Sequence, residues 1–378
     1  LLHTSLLKSI NNLSLIMKVP FNDLKRIHDP LRKTFHKDLD TIIDSSSFVG
    51  DTKFADEFRT YTGSKHCITC NSGTDALYLA IKALELKPNS KIIVPAVSYE
   101  ATSMAVKNAG HIPFFIDVHP DTALINSREI WKHITLDPDI KCIIVVHLYG
   151  QYVDMEQLLK FNFNLPIIED CAQAHGLRSN DRHVGTMGTI GCFSFYPGKN
   201  LGALGDAGAC ITDNTQLATK MKQYASLGAS LYNRYEHNTD GINSRMDGIQ
   251  GMFLSAKLKQ LNEWTEDRRE IAHLYKGGML GPTIPYERWR RSKKDVFHVF
   301  YILVDNRDDY ITFMNDKGIQ TGIHYPISLP ELKCNEKYYR YCPNAKEFCS
   351  KCVSLPMFPY MTEDEIDSVI INHNRYIR

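Results

Sequence analysis

Between Lys91 and Asp170 short apolar runs alternate with stretches of helical pattern, and this alternation limits the available folds more than any other feature of the chain. Lys91–Pro95, His111–Val118, Lys141–Leu148 and Leu165–Asp170 read as strands. Glu100–Ala109, Ser127–Ile134 and Asp154–Phe161 read as the helices between them. Strands that repeatedly alternate with helices pair in parallel, because only a long crossover returns the chain in the same direction. The pattern predicts an α/β fold with a mostly parallel mixed sheet, extended by strands at Gly191–Phe195 and Gly208–Thr212.

Before this core, Val19 to about Ser47 suggests helices leading to the sheet. After it, Met246 to about Tyr275 reads as one long helical region, with Ile249, Phe253, Leu254, Leu258 and Leu261 near helical spacing. That region links the large domain to a smaller C-terminal α/β domain. In the smaller domain Val296–Val304 is expected as a strand, Tyr310–Asp316 as a helix and Gln320–Tyr325 as a strand. A last helix opens near Thr362, where Thr362-Glu363-Asp364-Glu365 resembles a capping box. At 378 residues the chain is long enough for two domains, and the expected division is a leader or upstream extension at 1–16, a large domain at 17–265 and a small one at 266–378.

Lysine plus arginine total 44 against 43 acids, a net charge of +1. Such a balance supplies no general field for nucleic acid or a membrane surface and points to small-molecule partners. Ten cysteines scattered through the expected elements suit reduced thiols and a cytoplasmic setting. Two C-x-x-C pairs, Cys67/Cys70 and Cys349/Cys352, are read as packed thiols rather than a metal site. The first falls on a strand, where positions three apart face opposite sides, and the second is expected on a C-terminal helix far along the chain. No run reaches transmembrane length, and Lys8, Asn11, Asn12 and Ser14 interrupt any signal-peptide core in the first sixteen residues.

The chemistry concentrates around Ser194-Phe195-Tyr196-Pro197-Gly198-Lys199. A lysine at the end of an apolar strand, amid aromatic and small residues, is expected to be partly desolvated. Its amine pKa then falls and it becomes a nucleophile toward a carbonyl, as the Schiff-base lysine of a pyridoxal phosphate (PLP) enzyme must be. A solvated turn lysine is the plain alternative. Asp170 ends a buried strand, at the edge where open α/β sheets bind ligands, and could hold a pyridinium nitrogen protonated; as a plain helix cap it would have no such role. Asn71-Ser72-Gly73-Thr74 leads from a strand into a helix, and a helix N-terminus rich in Gly and hydroxyls forms a phosphate seat. Gly202 to Gly208 precedes a strand rather than a helix, so it is a turn and not a dinucleotide fingerprint.

With phosphate seat, ring acid and lysine in that order, the chain resembles the DegT/StrS-type nucleotide-sugar aminotransferases, fold type I PLP enzymes of the aspartate-aminotransferase class. The matching stretches include VPFNDLKR, NSGTDALYLAI, IIVPAVSYEATSMAV, IIEDCAQAHG, GTIGCFSFYPGKNLGALGDAGACITD, GINSRMDGIQGMFLSAKL, TGIHYP and LPMFPYMTEDEID, and run from about Val19 to the C-terminus. The resemblance implies Lys199 and Asp170 as catalytic residues. It implies Gly73, Thr74 and Ser194 at the cofactor phosphate, Tyr99 stacked on the ring, and Gln173 near the phenolic oxygen. A core tyrosine and a loop amide bonded to backbone are the plain readings of Tyr99 and Gln173. The resemblance further implies a homodimer with shared active sites, in which Asn243 reaches the neighbouring subunit's phosphate. His324 and Tyr325 match a substrate-side motif, with a satisfied core histidine as the alternative, and Arg245 is open to a structural role or a contact with a substrate anion.

By the same resemblance the reaction moves an amino group from L-glutamate, through pyridoxamine phosphate, to a nucleotide-linked 4-keto-6-deoxyhexose for amino-sugar and glycan synthesis. C-4 of a dTDP-sugar is the first expectation, with C-3 amination or a GDP- or UDP-sugar as alternatives. Ser226-Leu227-Gly228 stands where many members have Asn-His-Gly, and Pro330 where a histidine is frequent; both departures border the sugar-nucleotide side. A PLP-dependent sugar dehydratase would carry histidine at position 199, and a non-catalytic paralogue would be expected to lose Lys199 or Asp170. The ten cysteines offer no evident mobile loop cysteine for a desulfurase.

Overall fold

Strand and helix alternate through β1 (His66–Cys70), β2 (Lys91–Pro95), β3 (Ile112–Ile116), β4 (Ile140–Val146) and β5 (Ile167–Asp170), as the pattern requires; the short hairpin β6 (Arg178–Ser179) and β7 (Arg182–His183), β8 (Ile190–Ser194) and β9 (Gly208–Thr212) then follow with no helix between them. The computed structural model describes residues 17–50, 52–161, 163–230, 232–233, 235–281 and 294–378. The segment 1–16, expected as a leader, lies outside the described residues. Seven strands form one sheet in the order β1-β9-β8-β5-β4-β2-β3. The run from β8 to β3 is parallel, while β9 lies antiparallel between β1 and β8. Gly208 at the start of β9 faces both Cys70 and Ser194, which puts the C-terminal ends of β1 and β8 at one edge with Asp170 of β5.

The sheet is covered on both faces, and the alternation of side chains assigns each residue to its core. On β4, Cys142, Ile144 and Val146 join the core with the helix Gly73–Ala83, while Ile143 and Val145 join the opposite core with Phe54, Phe58, Phe193 and Phe195. The two cysteines of the first C-x-x-C pair divide in the same way: Cys70 is buried in the first core and Cys67 packs on the edge of the second. Of the second pair only Cys349 is helical, on Pro343–Lys351, because the helix stops there and Cys352 opens a strand. None of the ten cysteines is in a disulfide.

The expected single helical region after Met246 is two helices, Gly248–Leu258 and Leu261–Gly278, interrupted at Lys259–Gln260. The second helix leads to a third core in which Ile271, Tyr275, Tyr310 and Val369 surround the two-stranded sheet of β10 (Phe300–Leu303) and β11 (Cys352–Leu355). Val19 buries itself there too and bridges to Ile319. The capping box is present: the Thr362 hydroxyl accepts from the Glu365 N–H while the Glu365 carboxylate accepts from the Thr362 N–H. Arg26 then pairs with Glu365 at 2.7 Å, tying the N-terminal helix Leu24–His28 to the last one.

Two expected strands differ. Gln320–Tyr325 forms no ladder, because its backbone bonds are split between partners: the Gln320 N–H goes to the Val19 carbonyl, and Gly322 exchanges bonds with Ser354. Beyond Gly322 the His324–Tyr325 peptide is cis, and both side chains line the central cavity. Val296–Val304 shortens to β10 because its first half leaves the small sheet. There the Val296 N–H bonds the Gly150 carbonyl at 3.0 Å and the Val299 N–H that of Tyr149 at 3.5 Å.

Phe58 is fully buried, with its ring edge-on to Phe193 at 5.0 Å and Phe195 at 5.3 Å. Phe58→Ala is expected to lower stability by about 3–5 kcal/mol. Urea unfolding would show this as a lower midpoint, and an unchanged midpoint would contradict the packing.

Candidate active site

A cavity of about 620 Å³ opens at the edge where β1, β5 and β8 end, closed from the other side by the small C-terminal core and the N-terminal segment. Its lining is drawn from segments far apart in the chain, among them Phe21–Asn22, Ser72 to Thr74, Ser98 with Tyr99 and Thr102, Asp170 with Gln173, Ser194 with Lys199, His298, and His324 with Tyr325. Parallel strands bring carboxyl ends and helix N-termini to one edge, which is why the site lies there.

The helix Gly73–Ala83 begins at Ser72, whose hydroxyl accepts from the Asp75 N–H at 3.1 Å. Asp75 in turn accepts from Ser244 at 2.7 Å. First-turn amides have no intrahelical acceptor, so those of Gly73 and Thr74 are left for an anion. A Cβ on Gly73 would lie 2.4 Å from that of Ser194. Only glycine lets the helix start close beside Ser194 and leaves a small polar cradle of two amides and two hydroxyls.

Asp170 is buried, and its carboxylate accepts from the Thr102 hydroxyl at 3.0 Å and the Ala172 N–H at 3.1 Å. Burial pushes its pKa up, and these two bonds together with the Lys199 charge offset only part of that. The carboxylate therefore gains from a further N–H or cation in the cavity. Behind it, Glu169 points to the opposite face. It accepts from the Gly185, Met187 and Gly188 N–H groups and from His147 Nε2 at 3.0 Å. Burial opposes the Glu169 charge, but those bonds outweigh it and hold the acid below its ordinary range. His147, Glu169 and Cys171 lie close enough to hold a metal ion. The Glu169 oxygens are already taken by donors, however, and His147 Nδ1 accepts from the Val153 N–H at 3.2 Å.

Lys199 stands in a tight turn after β8, with its N–H bonded to the Tyr196 carbonyl at 2.8 Å. A Cβ on Gly202 would lie 2.3 Å from the Pro197 carbonyl oxygen, so the turn closes only around glycine. Burial brings the Lys199 amine down to about 8, with Asp170 pulling the other way. At neutral pH a minor but usable fraction is then unprotonated and nucleophilic.

Tyr99 is 62% exposed on the cavity wall, its ring 5.8 Å from that of Tyr325, so it is not a core tyrosine. The Gln173 oxygen accepts from the Tyr149 N–H at 2.6 Å, and its nitrogen donates to the Tyr325 hydroxyl at 2.9 Å. That amide is anchored at both ends on the cavity wall. His324 Nδ1 lies 2.8 Å from the Ser354 hydroxyl and its ring stacks on Phe21 at 5.5 Å. Burial lowers its pKa to about 4, leaving it neutral. Gly73, Thr74, Tyr99, Asp170, Gln173, Ser194, Lys199, His324 and Tyr325 thus share one cavity. Asn243 and Arg245 do not: they are exposed, bonded to each other at 3.2 Å, and absent from its lining. Thr102, Asn200, His298 and the Phe21–Asn22 pair went unread in the sequence. Asn200 adjoins Lys199 and Thr102 lies three residues after Tyr99, so proximity was a usable signal for them; His298 carried none.

Phosphate cradle, buried acid and depressed lysine amine fit PLP, which takes an anion at one end, a carboxylate at its ring nitrogen and an amine at its aldehyde. The profile of the DegT/DnrJ/EryC1/StrS aminotransferase family matches residues 31–372. The chain is 36% identical to the UDP-N-acetyl-3-dehydro-alpha-D-glucosamine 3-aminotransferase of Acidithiobacillus ferrooxidans, over 92% of this chain and 95% of that one. It is also 36% identical to the dTDP-3-amino-3,6-dideoxy-alpha-D-galactopyranose transaminase of Aneurinibacillus thermoaerophilus, over 95% of this chain and 99% of that one. Among solved structures it is similar to NtdA from Bacillus subtilis with bound cofactor PMP, at a TM-score of 0.87 and 29% identity, covering 95% of this chain and 85% of that one. The chain belongs to the DegT/DnrJ/EryC1/StrS aminotransferase family.

Proposed function

We propose that this protein is a PLP-dependent aminotransferase that carries an amino group from L-glutamate to the ketone of a nucleotide-linked sugar, with Lys199 and Asp170 as its catalytic residues. The observation that carries the reading is the pairing, in one cavity, of a lysine amine lowered by burial with a buried carboxylate that lacks a full set of donors. The two relatives named above act on 3-amino or 3-dehydro sugars, which favours C-3 of a UDP- or dTDP-sugar over the C-4 position first expected.

When bound, the cofactor supplies an electron sink for the bond broken at the donor's α-carbon. The residues of this chain do the rest. Gly73 and Thr74 amides with the Ser194 hydroxyl would hold the phosphate, and Tyr99 would shield the ring from water. Asp170, kept in place by Thr102 and the Ala172 N–H, would accept the ring N–H and keep that nitrogen protonated. Lys199 Nζ would anchor the group covalently and, once freed, would serve as the general base and acid for the proton moved from the donor's α-carbon. The same proton transfers in reverse deliver the amine to the sugar. His324, Tyr325 and Phe21 form the wall where the sugar would lie.

Asn243 serves the cavity of a second subunit in this reading, which accounts for its exposure in one chain and makes the working unit a homodimer.

Three outcomes are expected. Lys199→Ala abolishes amino-sugar formation across a panel of UDP-, dTDP- and GDP-linked 3-keto and 4-keto sugars, and full turnover in that variant would refute the assignment. Asp170→Asn retains much of the cofactor but loses rate by a factor on the order of 100 or more, and an unchanged kcat would remove Asp170 from its role. Asn243→Ala is inactive alone, but mixing it with Lys199→Ala restores part of the activity, since one site of the mixed dimer is then intact. No recovery on mixing would contradict the shared site.

A further inference from the structure

Among the cavity residues with no part in the amino transfer derived so far is a histidine. His298 lies on the segment that leaves the small sheet to dock on Tyr149 and Gly150, and it lines the cavity that Lys199 also lines. Its tautomer follows from its neighbours. The Val296 carbonyl can only accept, and Asn200 Nδ2 lies 3.0 Å from it. That orients the Asn200 amide, so the oxygen is the atom 3.1 Å from His298 Nδ1. An amide oxygen can only accept, so the imidazole proton sits on Nδ1 and Nε2 carries the lone pair.

The surroundings keep the ring uncharged. Burial lowers the His298 pKa well below its ordinary value, and Lys199, Arg268, His324 and His175 all act in the same direction. Lys199 itself faces the Asp170 carboxylate, which favours its ammonium form. His175 and His324 are held neutral by burial and feel its charge. Arg268 is committed to the carbonyls of Phe297 and Met357. A neutral imidazole whose Nε2 carries the lone pair is an acceptor suited to an ammonium group.

We propose that His298 is a positioning residue for Lys199, its Nε2 accepting a hydrogen bond from the Lys199 ammonium whenever that amine stands free. Asn200, the next residue after Lys199, sets the acceptor by fixing the tautomer, so the turn that places the lysine also orients its partner. The proposal rests on the reading of Lys199 as the reacting amine. Its test is independent of turnover and of cofactor.

An acceptor on the ammonium stabilises the charged form, so its removal must lower the amine's titration midpoint. The full chain, freed of cofactor, is acylated with a short amine-reactive ester at a series of pH values, and the Lys199 peptide is quantified by mass spectrometry. Wild type is expected to titrate near 8. His298→Leu should raise the acidity constant of Lys199 on the order of tenfold, the scale of one hydrogen bond to a charged group. His298→Gln keeps a donor for Asn200 and an acceptor for the cavity and should restore the wild-type midpoint. An unshifted midpoint in folded His298→Leu, or an equal fall in His298→Gln, overturns the proposal. Nitrogen-15 spectra of the wild-type imidazole test it without any variant: a proton on Nδ1 supports it and a proton on Nε2 overturns it.

Discussion

The register of β5 is the constraint on which the site depends. Glu169 and Asp170 are adjacent carboxylates on one strand, so they face opposite sides of the sheet. A slip of one residue would exchange them. Glu169 prevents the slip because its oxygens are engaged by three backbone amides of the Gly185–Gly188 turn and by His147. With Glu169 satisfied on the closed side, Asp170 is left on the open side with only Thr102 and one amide. One acid supplies structure and the other keeps unused capacity for a ligand.

The same division runs through the rest of the cavity. Lys199 is the group most able to change its charge there, and Asp170 is the carboxylate set against it. His298 and His324, whose ordinary pKa values would let them compete for protons, are kept neutral by burial. Ser72, Gly73 and Ser194 meet closely enough that no Cβ fits at Gly73, so the anion seat is shaped by backbone rather than by long side chains. The cavity thus combines a polar, amide-lined end, the Asp170 carboxylate and the Lys199 amine, with an aromatic wall from Tyr99, Tyr325 and Phe21.

Much of this was legible in the sequence because its signals are local. β2 and β9 occur with the bounds expected, and β3, β4, β5 and β8 differ by one or two residues at their ends, since apolar runs bounded by polar turns mark buried strands. The order of phosphate seat, acid and lysine was equally local. What escaped was set by distant partners. Gln320–Tyr325 has the composition of a strand, yet Val19 and Ser354 claim alternate parts of its backbone. Val296 to Val299 reads as continuous with β10, yet it docks on Tyr149 and Gly150 some 150 residues earlier. His298 and Asn200 meet only because of that docking, and no periodicity records it. Cys352 was placed with its helical neighbour Cys349 because a C-x-x-C spacing says nothing about where a helix stops.

The central claim is that a lysine amine, lowered by burial and set against one carboxylate, makes this cavity an amino-transfer site. The most direct measurement is the visible spectrum of the purified protein with PLP, before and after addition of L-glutamate alone. The account predicts a Lys199-dependent absorption band that glutamate converts to that of the pyridoxamine form, with release of one 2-oxoglutarate per site. A protein that takes up no PLP, or whose band survives glutamate unchanged, would contradict it.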